Sequence, residues 1–104
     1  MTLRVAVGET PDGQPPVVRV SGDIDLANVA QFEESMTRAR GDSPALTVDL
    51  TGVGYCDSAA VRALFALAAT TKLTMVVSPA GQITTLLAIS GLDQAATVIV
   101  REGD

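Results

Sequence analysis

Few side chains in this sequence could do chemistry. Two aspartates and a serine, Asp25, Asp57 and Ser58, make a combination that would suggest hydrolysis, and Cys56 adds a second kind of nucleophile. The supporting groups are missing. The chain has no histidine, which removes histidine-based acid–base catalysis, Ser-His-Asp triads and imidazole metal sites. A serine needs a base to activate it and a second group to protonate the leaving atom, and neither is supplied. One cysteine cannot build a thiolate zinc site. Gly52-Val53-Gly54 is not a phosphate-cradling loop, because no Gly-Lys-Ser/Thr follows it. The residues therefore describe a protein that binds another protein rather than an enzyme, with no cofactor and no metal expected.

The elements that hold these residues must fit in 104 residues, the length of one domain spanning 1–104. Apolar residues make up 47% and aromatics only 3%, so the core must be built from Leu, Val, Ile and Ala. Net charge is -5 with only seven Lys and Arg, which disfavours nucleic acid and an acidic membrane surface and suits a partner with a basic docking face. The lone Cys56 allows no intramolecular disulfide and fits a reducing compartment. The N-terminus, with Arg4, Gly8, Glu9 and Asp12, has no long apolar stretch and reads as neither signal peptide nor membrane span. A cytoplasmic location is expected.

Leu3 to Val7 and Val17 to Val20 read as two strands of a hairpin, joined by the turn residues of Thr10 to Pro16. Asp25 can cap a helix from about Leu26 to Arg40, with Val29, Phe32 and Met36 as its inward stripe and Gly41 as its stop. Ala45 to Leu50 reads as a buried strand, Thr51 to Asp57 as a loop, and a second helix starts near Ser58. Leu73 to Val77 is the next strand. Ser78-Pro79 opens a third helix with Ile83, Leu86, Leu87 and Ser90 inward and Gly91 at its end. Ala96 to Val100 is the last strand. The order ββαβαβαβ implies an α/β fold with a mixed, mostly parallel sheet joined by crossovers.

On the second helix, Val61, Leu64, Phe65 and Leu67 share a side expected to pack on the sheet. The opposite side holds Ala59, Arg62, Ala63, Ala66 and Ala69. A surface helix usually carries Lys and Glu there. The alanines are either good helix formers left exposed or a smooth docking face that a partner helix can approach closely.

Four motifs then fall in register. Gly22-Asp23-Ile24-Asp25 precedes the first helix, Asp49-Leu50-Thr51-Gly52-Val53 ends a strand, Asp57-Ser58-Ala59-Ala60-Val61 starts the second helix, and Ser90-Gly91-Leu92 comes late. Together they resemble the STAS family, best known for bacterial anti-sigma factor antagonists, over about nine-tenths of the chain. The resemblance implies a STAS-like (SpoIIAA-like) fold. It also implies binding to an anti-sigma factor that is a GHKL-type kinase, which frees a sigma factor for transcription by partner switching. In the family the kinase brings ATP and magnesium and phosphorylates the second Ser/Thr of Asp-Ser-Ser/Thr-Gly, which breaks the complex. The resemblance makes Asp23, Asp25, Asp57, Ser58 and Ala59 partner-binding candidates, and the alanine face adds Arg62, Ala63 and Ala66; Asp23, which stands where the family has glutamate, reads as a partner contact or as a solvated turn residue. Asp25 and Asp57 would then lie at the same end of the sheet, as an acidic pair facing the partner or as two helix caps.

The sequence departs from the family at the phosphoacceptor, which is Ala59, and at the following glycine, which is Ala60. Three readings follow. The chain is an antagonist controlled by its abundance; or Ser58 has become the phosphorylation site, against its ordinary role as a helix cap; or the domain is a subunit or scaffold of another complex, such as a lipid transporter. The C-terminal helix common in the family is absent from the sequence, and a homodimer could bury the surface it would cover. Cys56 reads as a buried structural residue or as a redox handle. Arg62 reads as a partner contact or a solvated side chain.

Overall fold

The computed structural model describes residues 3–8, 13–79 and 91–101. The elements within them are β1 (Leu3–Gly8), β2 (Val17–Ile24), α1 (Val29–Arg40), β3 (Ala45–Cys56), α2 (Ser58–Thr70), β4 (Lys72–Val77), α3 (Leu92–Ala95) and β5 (Thr97–Val100). The strands form one sheet in the order β1-β2-β3-β4-β5. β1 runs antiparallel to β2, and the remaining pairings are parallel. This is the mixed, mostly parallel sheet that the alternation of strands and helices implies. Each crossover steps to the next strand in the same direction, and right-handed crossovers of that kind cover the same face. Thus α1 packs on β1 and β2, α2 packs on β3 and β4, and the two helices touch.

Alternation along the strands sends one set of residues into the core. Val18, Val20 and Ile24 of β2, Leu46, Val48 and Leu50 of β3, and Leu73, Met75 and Val77 of β4 are all buried. They meet Phe32 and Met36 of α1 and Leu64 of α2 in a single cluster. Each such side chain contributes roughly 1.5–3 kcal/mol. The intervening residues, Arg19, Thr47, Asp49, Thr74 and Val76, take the other side of the pleat, away from α1 and α2, and of these Val76 is buried.

The central strands are longer than their sequence pattern suggests. β2 runs on to Ile24, and β3 continues through the expected loop to Cys56. Two shifts in the β2–β3 register, between Arg19 and Ser21 and between Gly22 and Asp23, break the alternation that marks a strand. Gly22 sits at the second shift with φ 92°, a conformation that side chains strongly disfavour. At the first, a Cβ on Gly52 would stand 3.0 Å from that of Ser21. Both glycines are needed for the strands to stay paired across the irregularities.

α1 starts at Val29, three residues later than the pattern predicts, because Asp25 folds the intervening residues into a turn. Its carboxylate accepts from the amides of Ala27 and Asn28. Gly41 ends the helix with φ 55°. Gly91 opens the short helix α3, which the sequence did not signal, and Leu92 is fully buried. The third helix expected from Ser78-Pro79, with Ile83, Leu86, Leu87 and Ser90, falls outside the described residues, as do residues 9–12 and 102–104.

Candidate functional site

β2 and β3 end side by side, and the chain leaves each of them to start a helix. Asp57 joins the two exits. One carboxylate oxygen accepts from the amides of Ala59 and Ala60 at 2.9 and 3.2 Å, capping α2. The other accepts from Leu26 at 3.0 Å, in the turn before α1. Its own amide donates to Ile24 of β2. A cap of this kind stabilises a helix by about 1 kcal/mol, and here the same group also holds a second loop.

The β2–α1 turn is tied just as closely. Asp25 donates its amide to Asn28 Oδ1, and Asn28 Nδ2 donates to the Asp23 carbonyl, both at 2.9 Å. With the Asp57 bond and the two bonds to the Asp25 carboxylate, this fixes residues 25–28 and turns Leu26 outward. Leu26 is 77% exposed, the most exposed large apolar side chain among the described residues. Asp23 lies beside Tyr55 on β3, whose ring is also exposed. The sheet end therefore combines Asp23, Asp25 and Asp57 with two outward apolar groups.

Asp25 and Asp57 do stand at the same end of the sheet, linked through Leu26. Ser58 is the first residue of α2 and is exposed, with Asp57 as the N-cap. Ala59 is half-buried, while Arg62 and Ala66 are exposed. Ala63 is 5% exposed and belongs to the core with Ala60, so it cannot form part of a docking face. The helix is turned about its axis by most of one residue step from the expected orientation. The small residues Ala60 and Ala63 lie inward, where α2 comes close to its neighbours, while Val61 and Phe65 move to the flank. The exposed face is Ser58, Arg62, Ala66 and Ala69.

Leu26 and Tyr55 were missed by the sequence reading. Leu26 lies about a quarter-turn off the Val29, Phe32 and Met36 stripe, which was a legible sign that it does not face the core. Tyr55 was hidden by the reading of its strand as a loop.

Cys56 closes β3 beneath this surface, 7% exposed. Burial, followed by the charges of Asp57 and Asp23, pushes its thiol from an ordinary 9.0 up to about 11. It stays protonated at neutral pH and is a poor nucleophile. Among the described residues, no three His, Cys, Asp or Glu side chains are grouped to hold a metal ion, and no helix is long and apolar enough to cross a membrane. What the arrangement offers is a rigid, acidic surface with apolar points.

Comparison with known proteins gives a consistent result. No curated protein matches the chain. An anti-sigma factor antagonist from Mycobacterium paratuberculosis superposes with a TM-score of 0.81 at 27% identity, over 94% of this chain and 86% of that one. A Thermotoga maritima protein assigned as an anti-sigma factor antagonist gives 0.74 at 14% identity, over 90% and 84%. The anti-sigma factor antagonist SpoIIAA in its unphosphorylated form gives 0.60 at 12% identity, over 99% and 90%. The last two are likenesses of fold alone. The family model described as Mlab, STAS domain matches residues 7–101. Matched over nearly its whole length and built on the same sheet and helices, the chain belongs to the STAS-domain family.

Proposed function

We propose that this domain is an anti-sigma factor antagonist. It binds an anti-sigma factor of the GHKL kinase type through the sheet end and the start of α2, and so releases a sigma factor. The observation that carries this reading is the 27% identity and TM-score of 0.81 to an anti-sigma factor antagonist. The rigid acidic surface of Asp23, Asp25 and Asp57 supports it, since a preorganised surface loses little freedom on binding. The interface takes in Ser58, Ala59, Arg62 and Ala66 on α2, and Leu26 and Tyr55 beside them.

Ala59 has no hydroxyl, and its amide is held by Asp57. A kinase partner therefore has no acceptor at that position, and release does not depend on phosphate there. Ser58 is exposed, but its place as the first residue of a capped helix accounts for it without a modification. A second reading is a STAS subunit of another assembly, such as a lipid transporter. It is favoured by the matching family model being described as Mlab.

The deciding experiment is capture from native extract with the wild-type domain and with Ala59→Glu, read by mass spectrometry. A GHKL-type anti-sigma factor retained by the wild type and lost with the variant is the expected result. Capture of transporter subunits instead would favour the second reading. If the same anti-sigma factor bound both proteins equally, Ala59 would lie outside the interface.

A further inference from the structure

The face of the sheet turned away from α1 and α2 gathers arginines on a chain whose net charge is -5. A groove of about 900 Å³ extends from the flank of α1, at Gln31 and Ser35, to this face, where Arg4, Arg19 and Arg101 line it together with Ser21, Thr51 and Gly52. It thus holds three of the seven basic residues. The strand register fixes their placement. Arg4 pairs with Ser21, and Ala6 with Arg19, so the two arginines are diagonal neighbours on one face of the β1–β2 ribbon. Arg101 follows β5 and donates its amide to Val77, which continues the sheet on the far side of the groove. Gly52, exposed and close against Ser21, adds a position without a side chain to the lining.

The carboxylate in the groove is Asp49, and it is already engaged. It accepts from the Thr51 amide at 2.9 Å and the Thr51 hydroxyl at 2.6 Å, and it stands 4.0 Å from Arg19 Nε. Arg4 and Arg101 have no ion-pair partner among the described residues. Among the described residues that line the groove, three positive charges stand against one negative. Arginine forks are suited to the paired oxygens of a phosphoryl group, and the hydroxyls of Ser21 and Thr51 can donate to the same oxygens. β2 and β5 are three steps apart in the sheet, about 14 Å at roughly 4.8 Å per step, so the Arg4/Arg19 pair and Arg101 approach a ligand from opposite sides and two phosphoryl groups give each side its own oxygens.

We propose that this groove is a binding site for a small molecule carrying two phosphoryl groups, separate from the partner surface at the sheet end. The soluble form of the ligand is preferred, because the acidic chain as a whole is repelled by an anionic membrane.

The test is titration of the whole domain with inorganic pyrophosphate, followed by amide NMR shifts at moderate salt. Phosphatidic acid vesicles form a parallel co-sedimentation arm. Saturable shifts centred on Ser21, Thr51 and Gly52 are expected, with affinity about tenfold or more weaker in Arg19→Ala and in Arg101→Ala. Arg38→Ala, on the exposed face of α1, serves as the control and should bind as the wild type does. Thermal melts of each variant show that the fold is retained. Arginine-dependent binding to vesicles and not to pyrophosphate would keep the phosphoryl chemistry and assign its source to lipid. No saturable binding in either arm, or equal losses in Arg38→Ala and the groove variants, would overturn the site, since the latter is what diffuse surface charge produces.

Discussion

At the scale of single residues, Asp57 does the most. It caps α2 with one oxygen and holds Leu26 with the other, so the start of one helix and the turn before another move as a unit. The sequence showed Asp57 and Asp25 as caps or partner contacts. The structure gives both a capping or turn-holding role, and contact with a partner rests on the proposed function. Cys56, next to Asp57, makes a measurable prediction. Its folded thiol titrates near 11 against an ordinary 9.0, so the unfolded chain loses that proton first as pH rises. Its contribution to stability is thus complete below about pH 9 and is lost between about 9 and 11, by up to about 2–3 kcal/mol. Denaturant melts across that range should show a steeper fall for wild type than for Cys56→Ala. Parallel curves would mean that the thiol is no more buried in the fold than in the unfolded chain.

At the scale of elements, legibility followed periodicity. α1 was readable because Phe32 and Met36 repeat at helical spacing and are buried, and only its first turn was misplaced, by a side-chain bond to the backbone. The second halves of β2 and β3 were not readable, because the register shifts at Ser21 and Gly22 destroy the two-residue period on which a strand is recognised. α2 was recognised but wrongly oriented. Its apolar residues spread round most of the helix, so the stripe had no clear centre, and small size rather than hydrophobicity decided that Ala60 and Ala63 face inward. That orientation can be tested with a single larger side chain. Ala63→Leu should cost about 1–3 kcal/mol by overpacking the core, while Ala66→Leu, on the exposed side, should stay within about 0.5 kcal/mol of wild type. Equal effects on melting would contradict the observed rotation. The same pair separates stability from binding, since only Ala66 belongs to the proposed interface.

At the scale of the whole molecule, one sheet separates two surfaces of opposite character. Its end, at the exits of β2 and β3, carries Asp23, Asp25 and Asp57, while its face away from α1 and α2 carries Arg4, Arg19 and Arg101. The overall charge was legible in the composition, but this division was not, because it depends on which strand ends come together and which way each residue points. The division bears on how a partner finds the domain. An acidic surface on a chain of net charge -5 draws a basic partner and raises the encounter rate, and salt screens that attraction over about 8–10 Å near physiological strength. Once docked, apolar contact at Leu26 is screened far less. Association with the proposed anti-sigma factor partner should therefore slow markedly as salt rises from about 0.05 to 0.5 M, with dissociation changing much less. Asp23→Asn should lower the association rate and flatten its salt dependence. Leu26→Ala should leave association nearly unchanged and speed dissociation, because its contact forms only in the docked complex. An association rate indifferent to both salt and Asp23→Asn would show that the acidic end of the sheet does not guide the encounter.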